Sequence, residues 1–293
     1  MMKCNMCPRK CNVDRSSGQL GFCRAPEDFL VAKTMIHKWE EPCIAGESGA
    51  GTVFFSGCNL RCVFCQNCEI SRGNKGEIMT DAQLEAAIFS LVESGAECIE
   101  FVTPTHYTSK IARLLERIKP KLTVPVVWNS GGYESVEALR ELDGLVDVYL
   151  PDFKYFDGEI AGSYSSAPDY LPVATAALGE MLRQTGKPQL DERGMMKRGV
   201  IVRHLVLPGH RSDSIAVLDH LAREFGADAF LLSLMSQYTP DFYAASGCGK
   251  YKNLTRRLTK FEYDSVMKKA DELGFEGYFQ GIDSASKKYT PDF

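Results

Sequence analysis

The chain has 293 residues, 34 Lys plus Arg against 38 Asp plus Glu, and a formal net charge of −4. That length suits one or two domains, and that balance gives no global basic field for nucleic acid or an anionic membrane. With 44% hydrophobic residues wholesale disorder is excluded. No apolar run approaches the roughly 20 residues of a membrane helix, and the stretch MMKCNMCPRKC lacks the apolar core of a secretory signal, so the expectation is a cytoplasmic protein.

In chain order, residues 1–45 show no clear helical or strand period and read as a small Cys-rich, metal-stapled lobe, since so short a segment buries little core of its own. Thr52 to Phe55 is a short β-rich run. Residues 80–95 predict a helix: Thr80 or Asp81 caps it, Leu84, Ala87, Ile88, Leu91 and Val92 give its apolar face, and Gly95 ends it. A strand at 98–102, an amphipathic helix at 108–118, a strand at 124–128 and a helix at 135–142 follow. Next come a strand at 146–150, a helical pattern at 169–186, a strand at 200–206, a helix at 214–225 and a strand at 229–234. Residues 246–293 read as an extension with one helix near 260–273, closed by Gly274.

Six strands alternating with helices imply parallel pairing and an α/β fold, a partial (β/α)6 barrel over residues 46–245 or an open sheet. In either architecture chemistry gathers at the C-terminal strand ends. Cys58 follows the first strand, Thr103 to His106 the second, Asn129 to Gly132 the third, Asp152 and Lys154 the fourth, Pro208 to His210 the fifth, and Ser236 to Tyr238 the sixth.

Nine of the eleven cysteines lie within the first 68 residues. Short spacings in a reducing compartment point to metal or Fe–S ligation rather than disulfides; Cys98 and Cys248 read as buried thiols. Cys58, Cys62 and Cys65 form C-x3-C-x2-C. Three thiolates on one loop can hold three irons of a [4Fe–4S] cube and leave the fourth for an exogenous ligand. Zinc is the alternative, with Cys68 as fourth ligand. Cys4, Cys7, Cys11 and Cys23 form a second four-thiolate set, whose spacing leaves structural zinc and an auxiliary [4Fe–4S] cluster open. Cys43 is a spare.

The loop Gly57 to Asn67, set after a first strand and with Phe64 just before the third Cys, resembles the radical S-adenosylmethionine superfamily. The segments Glu40-Glu41-Pro42, Ser48 to Cys62, and Cys65-Gln66-Asn67, with the Cys-rich N-terminus and Thr103-Pro104-Thr105-His106, resemble its branch related to pyruvate formate-lyase activating enzymes. Asp152-Phe153-Lys154 is similar to the Asp-x-Lys of glycyl radical activating enzymes, and Arg203 to Gly209 resembles the family's fifth strand and Pro-Gly turn. The resemblance implies a radical SAM partial barrel and an oxidoreductase that reductively cleaves S-adenosylmethionine to a hydrogen-abstracting 5′-deoxyadenosyl radical. It implies cofactor contacts from Phe64, Thr103, Thr105, His106, Asn129, Asp152, Lys154 and Tyr238, with no side chain assigned as catalytic. It also implies an electron donor such as flavodoxin or ferredoxin, and a glycyl radical enzyme as partner. Three positions depart from the pattern: Thr103 to His106 replaces the usual Gly-Gly-Glu, Tyr238 stands where activating enzymes tend to carry His, and Cys68 replaces an expected aromatic.

Three functions compete: a glycyl radical activating enzyme, a radical enzyme acting on a small molecule or nucleoside, and a non-catalytic metal or redox module. The basic stretch Lys250 to Lys260 reads as a solvated face. His37, His204, His210 and His220 show no metal-binding spacing. The pentapeptide Tyr-Thr-Pro-Asp-Phe occurs at 238–242 and again at 289–293 without a larger repeat.

Overall fold

The computed structural model describes residues 3–73, 75–245, 247, 249–281, 291 and 293. Its strands are β1 (Phe29–His37), β2 (Ala50–Phe55), β3 (Glu77–Met79), β4 (Ile99–Val102), β5 (Val126–Ser130), β6 (Val148–Pro151), β7 (Gln189–Leu190), β8 (Met196–Leu205), β9 (Leu231–Met235) and β10 (Gly277–Phe279). They join in the order β10-β9-β8-β6-β5-β4-β2-β1-β3, with β7 added on β8. Pairing is parallel from β2 through β10 along this path and antiparallel at β1–β2, β1–β3 and β7–β8. The six strands expected from periodicity are β2, β4, β5, β6, β8 and β9, and the α/β partial barrel stands.

Four strands were not legible. Residues 1–45 are not free of regular structure, because β1 runs through them and pairs with β2 along most of its length. The region after residue 245 contributes β10, a parallel strand on β9. The single helical pattern at 169–186 is one helix, Tyr170–Thr185, preceded by a second at Gly158–Ser165. Cys248, and residues 289, 290 and 292 of the second pentapeptide copy, lie outside the described residues.

The helices form where the sequence places their caps. Thr80 and Gln83 make a reciprocal capping box ahead of Asp81–Glu93, which buries Leu84, Ile88 and Leu91. Thr108–Ile118 buries Ile111, Leu114, Leu115 and Ile118 against the sheet. Because side chains alternate across each strand, one set of strand residues meets the helices, among them Val53, Phe101, Trp128, Tyr149, Val202 and Leu232. The other set fills the barrel in layers. Ala50, Cys98, Val127, Val148 and Ile201 make an apolar floor, closed by Cys43 and Ile44 of the short helix Pro42–Ala45. Cys43 and Cys98 are thus core thiols. One layer up, at Thr52, Glu100, Asn129 and Arg203, the interior turns polar, and above it opens the pocket.

Candidate active site

The loop after β2 turns at Gly57, whose φ of 86° is left-handed. There is no room for a side chain, since an added Cβ would sit 2.6 Å from the Cys23 carbonyl oxygen. The turn throws Cys58, Cys62 and Cys65 over the barrel mouth, where all three line one pocket. Arg61, between the first two, is also left-handed, with φ of 50°, a strained conformation of the kind that gathers at functional sites. Contacts from distant parts of the chain hold the loop. Arg9 Nε donates to the Asn59 carbonyl at 2.8 Å, Asn59 Nδ2 to the Tyr133 carbonyl at 2.7 Å, and Gln66 Nε2 to the Gln237 carbonyl at 3.2 Å. Ser165 Oγ donates to Cys62 Sγ at 2.9 Å, and the Leu60 N–H lies 3.4 Å from Cys58 Sγ.

Burial pushes the Cys65 thiol up to about 12, and Cys62 and Cys58 add to the effect. Burial raises Cys58 likewise, with Cys62 next. Crowded thiols of this kind resist ionising alone and become thiolates when a metal supplies positive charge. The donor set therefore suits a cationic metal cluster. Among the described residues no three Cys, His, Asp or Glu side chains stand as a metal-binding group.

The opposite wall carries paired charge. Lys154 Nζ contacts Asp152 Oδ2. Burial works against the Lys154 ammonium, but Asp152 and then Cys62 and Tyr170 outweigh it, so the group is held charged. Burial also opposes the Asp152 charge, and Lys154 with Arg203 more than offsets it. Arg203 lies at the centre of the network, with Nε 3.3 Å from Asp152 Oδ1, Nη1 2.9 Å from Glu40 Oε2 and Nη2 3.3 Å from Asn129 Oδ1. Asn129 Nδ2 donates to Glu100 Oε1 at 2.7 Å, and Thr52 Oγ1 to Glu100 Oε2 at 3.0 Å. Burial raises the Glu100 carboxyl to about 7. The Tyr170 hydroxyl accepts the Lys154 N–H at 3.0 Å and lies 2.9 Å from the Gly131 and Asp152 carbonyls, pinning two strand ends together.

Of the residues singled out in the sequence, Cys58, Cys62, Phe64, Cys65, Thr103, Asn129, Asp152 and Lys154 line this pocket. Thr105, His106 and Tyr238 do not. Thr105 Oγ1 donates to Glu134 at 2.6 Å, His106 Nε2 sits 3.0 Å from the Ser56 carbonyl, and Tyr238 donates to the Leu254 carbonyl at 2.6 Å. Arg203 and Gln237 line the pocket without having been singled out individually. For Arg203 the signal was present, a charged residue in phase with Ile201 and Leu205 on an apolar strand.

The members of the second cysteine set lie near enough to interact electrostatically, without standing as a metal-binding group. The Cys7 thiol is pushed up to about 12 by burial, while the Arg9 N–H draws it down and Cys23, Cys11 and Cys4 add to the rise. The Phe22 N–H lies 3.4 Å from Cys11 Sγ, and Arg15 Nη2 3.5 Å from Cys23 Sγ. The backbone turns tightly after Cys7, with the Lys10 N–H 3.1 Å from the Cys7 carbonyl and Lys10 at φ of 43°. N–H groups aimed at clustered sulfurs fit a bound metal.

Residues 44–164 match the family model described as a 4Fe-4S single cluster domain. Uncharacterized protein MJ0674 of Methanocaldococcus jannaschii is 29% identical over 282 residues, covering 93% of this chain and 75% of that one. A solved structure of spore photoproduct lyase superposes with a TM-score of 0.54 at 12% identity, over 83% of this chain and 79% of its own. Streptococcus suis SuiB bound to precursor peptide SuiA superposes with a TM-score of 0.51 at 12% identity, over 78% of this chain and 48% of its own. These structural likenesses establish a shared fold. Motif, cluster-domain match and barrel together resemble those of radical S-adenosylmethionine enzymes with a [4Fe–4S] cluster. Among the described residues no helix is long and apolar enough to cross a membrane.

Proposed function

We propose that Cys58, Cys62 and Cys65 hold three irons of the [4Fe–4S] cluster, and that S-adenosylmethionine lies between them and the wall of Thr103, Asn129, Asp152 and Lys154, with Phe64 beside it. The observation that carries this is the convergence of three thiols and the Asp152–Lys154 pair on one pocket. When bound, cluster and cofactor supply reductive cleavage of the S–C5′ bond and a hydrogen-abstracting radical. The chain's own residues do the rest. The Lys154 ammonium neutralises the methionine carboxylate, and Asp152 orients Lys154. Arg203 fixes Asp152 and Asn129 from below, and the buried layer beneath keeps water from the reacting end.

The substrate class we assign first is a backbone glycine of a partner glycyl radical enzyme, on the resemblance of residues 40–42, 48–62 and 65–67 to activating enzymes. A small molecule or nucleoside is the alternative class. A cytoplasmic setting with flavodoxin or ferredoxin as electron donor belongs to the same reading. We further assign a second metal, zinc or Fe–S, to Cys4, Cys7, Cys11 and Cys23 in a lobe of residues 1–45, supported by the N–H groups aimed at those sulfurs. The barrel then spans 46–245, with an extension to 293.

The test is anaerobic. The chain is reconstituted with iron and sulfide, dithionite and S-adenosylmethionine are added, and 5′-deoxyadenosine is quantified, with Cys62→Ala alongside. Product from the wild type and none from the variant is expected. No product from a fully loaded wild type overturns the reading. Iron and zinc counted on the same sample identify the second metal, and neither beyond the first cluster's iron removes it.

A further inference from the structure

The cluster loop meets the C-terminal end of the helix Gly158–Ser165. The Val63 N–H donates to the Tyr164 carbonyl at 2.9 Å, and one residue on, Ser165 Oγ donates to Cys62 Sγ at 2.9 Å. A helix end leaves carbonyls without partners inside the helix. Here the helix stops at Ser166, a non-glycine residue with a left-handed φ of 51°. Such a turn is strained and persists only where its surroundings hold it. The side chain that grips it comes from the start of the chain. Arg9 Nη2 donates to the Ser165 carbonyl at 2.8 Å, Nη1 to the Ser166 carbonyl, and Nε to the Asn59 carbonyl in the cluster loop at 2.8 Å.

Arg9 is itself held in place. Its guanidinium lies 4.1 Å from the Phe22 ring centroid and 5.1 Å from that of Tyr133, within cation–π range of both. The Tyr133 carbonyl accepts Asn59 Nδ2 at 2.7 Å, so Asn59 is fixed at its side-chain amide and at its carbonyl. The Arg9 backbone sits in the turn after Cys7 that the Lys10 N–H closes on the Cys7 carbonyl at 3.1 Å. All three guanidinium nitrogens go to carbonyl oxygens of the loop and the helix end. A planar fork with donors in fixed directions can set these carbonyls relative to one another, whereas an ammonium on a flexible stem cannot.

We propose that Arg9 is a positioning residue for the cluster: it locks the Ser165–Ser166 turn against the loop at Asn59, aims the Ser165 hydroxyl at Cys62 Sγ, and thereby sets the cluster's electron affinity. This rests on the assignment of Cys62 as a cluster ligand above, and on no metal at the second cysteine set. The Val63–Tyr164 bond places the helix end beside the loop, and the Arg9 fork fixes the direction in which the next residue points. A donor to a ligating sulfur favours the reduced cluster, so losing that aim favours the oxidised one. The influence of Arg9 passes through one hydroxyl and vanishes where that hydroxyl is absent.

The test is a double-mutant cycle on the reconstituted full chain, without S-adenosylmethionine. Wild type, Arg9→Met, Arg9→Lys, Ser165→Ala and Arg9→Met/Ser165→Ala are titrated anaerobically and followed by electron paramagnetic resonance. At a fixed potential the ratio of reduced to oxidised cluster should fall about fivefold in Arg9→Met, the effect of one buried hydroxyl bond. It should fall no further in the double variant than in Ser165→Ala alone. Arg9→Lys, which keeps the charge and loses the fork, should fall with Arg9→Met. Additive falls in the double variant overturn the proposal. So does a wild-type midpoint in Arg9→Met, or in Arg9→Lys, because charge alone would then act. Should Arg9→Met fail to fold, Arg9→Lys with and without Ser165→Ala closes the same cycle. A wild type that takes up no cluster removes the Cys62 assignment and this proposal with it, whereas one that takes up the cluster and leaves S-adenosylmethionine intact counts against the catalytic reading alone.

Discussion

With Cys62 ligating the cluster as proposed, removing one hydroxyl should shift the cluster's electron affinity. Ser165 ends the helix Gly158–Ser165 and is 1% exposed. Its proton goes to Cys62 Sγ at 2.9 Å, so the Tyr155 hydroxyl, 2.6 Å away, donates to Ser165 Oγ and polarises it further. A donor to a ligating sulfur favours the more electron-rich, reduced cluster. A buried hydroxyl bond contributes about 1 kcal/mol net. If that is the difference between the two oxidation states, Ser165→Ala lowers the midpoint potential by roughly 40 mV, given 59 mV per tenfold change for one electron. Ser165→Thr keeps the hydroxyl and should keep the potential. The backbone should hold in both, because Arg9 Nη2 grips the Ser165 carbonyl at 2.8 Å independently of the side chain. The assay is a redox titration of the reconstituted cluster followed by electron paramagnetic resonance. An unchanged midpoint in the alanine variant, or an equal fall in the threonine variant, refutes the reasoning.

Three further outcomes follow from buried charge and tight turns. Burial, helped by Arg15, depresses His106 to about 3, and burial depresses His204 to about 4. Both stay neutral in the folded chain while the unfolded chain takes up protons below about pH 6.5. Stability is therefore present above that value and lost on acidification, at about 1.4 kcal/mol per pH unit for each group. Urea midpoints taken at about pH 7.5 and 5.5 should fall accordingly, and a flat profile contradicts the assignment. Arg203→Met strips the cation from Asp152 and Glu40 and should cost about 3–5 kcal/mol by denaturant unfolding, more than Arg203→Lys; a loss under about 1 kcal/mol means the network is solvated. Gly57→Ala forces a Cβ to 2.6 Å from the Cys23 carbonyl, and should lower both the melting temperature and the iron bound per chain. Wild-type iron content in this variant means that the N-terminal segment does not brace the loop.

The parallel strands were legible because each is a buried apolar run set between amphipathic helices. β1 was not, because five consecutive residues from Ala32 to Ile36 are only partly buried, which blurs its alternation. β10 is three residues with no fully buried side chain, joined to β9 through the backbone, and composition carries no trace of such a strand. The pocket wall could be read from strand ends, and Cys58, Asn129, Asp152 and Lys154 fall where that rule puts them. It failed after β4. There Thr103 adopts a left-handed φ of 57°, and the chain turns into a 3-10 segment at Thr105–Tyr107. That turn sends His106 back to the Ser56 carbonyl instead of into the mouth. Backbone reversals at non-glycine residues leave no mark in a hydrophobic pattern. The interior network was half visible: Glu100 and Arg203 each interrupt an apolar strand, but only the register that aligns Arg203 beside Asp152 shows that they share one barrel layer.

The braces on the cluster loop also constrain when the holoenzyme can be assembled. Arg9 must find Ser165, 156 residues later in the chain, Cys62 must find Ser165 across 103 residues, and Gln66 must find Gln237 across 171. A nascent chain that has just exposed its cysteines thus has no seat for them. Contacts of this span close late and slowly, so iron delivered during synthesis would meet loose thiols, whereas iron delivered after release would meet a braced loop. If the cluster is held as proposed, its cradle is completed only once the barrel has closed, so geometry would favour loading after synthesis.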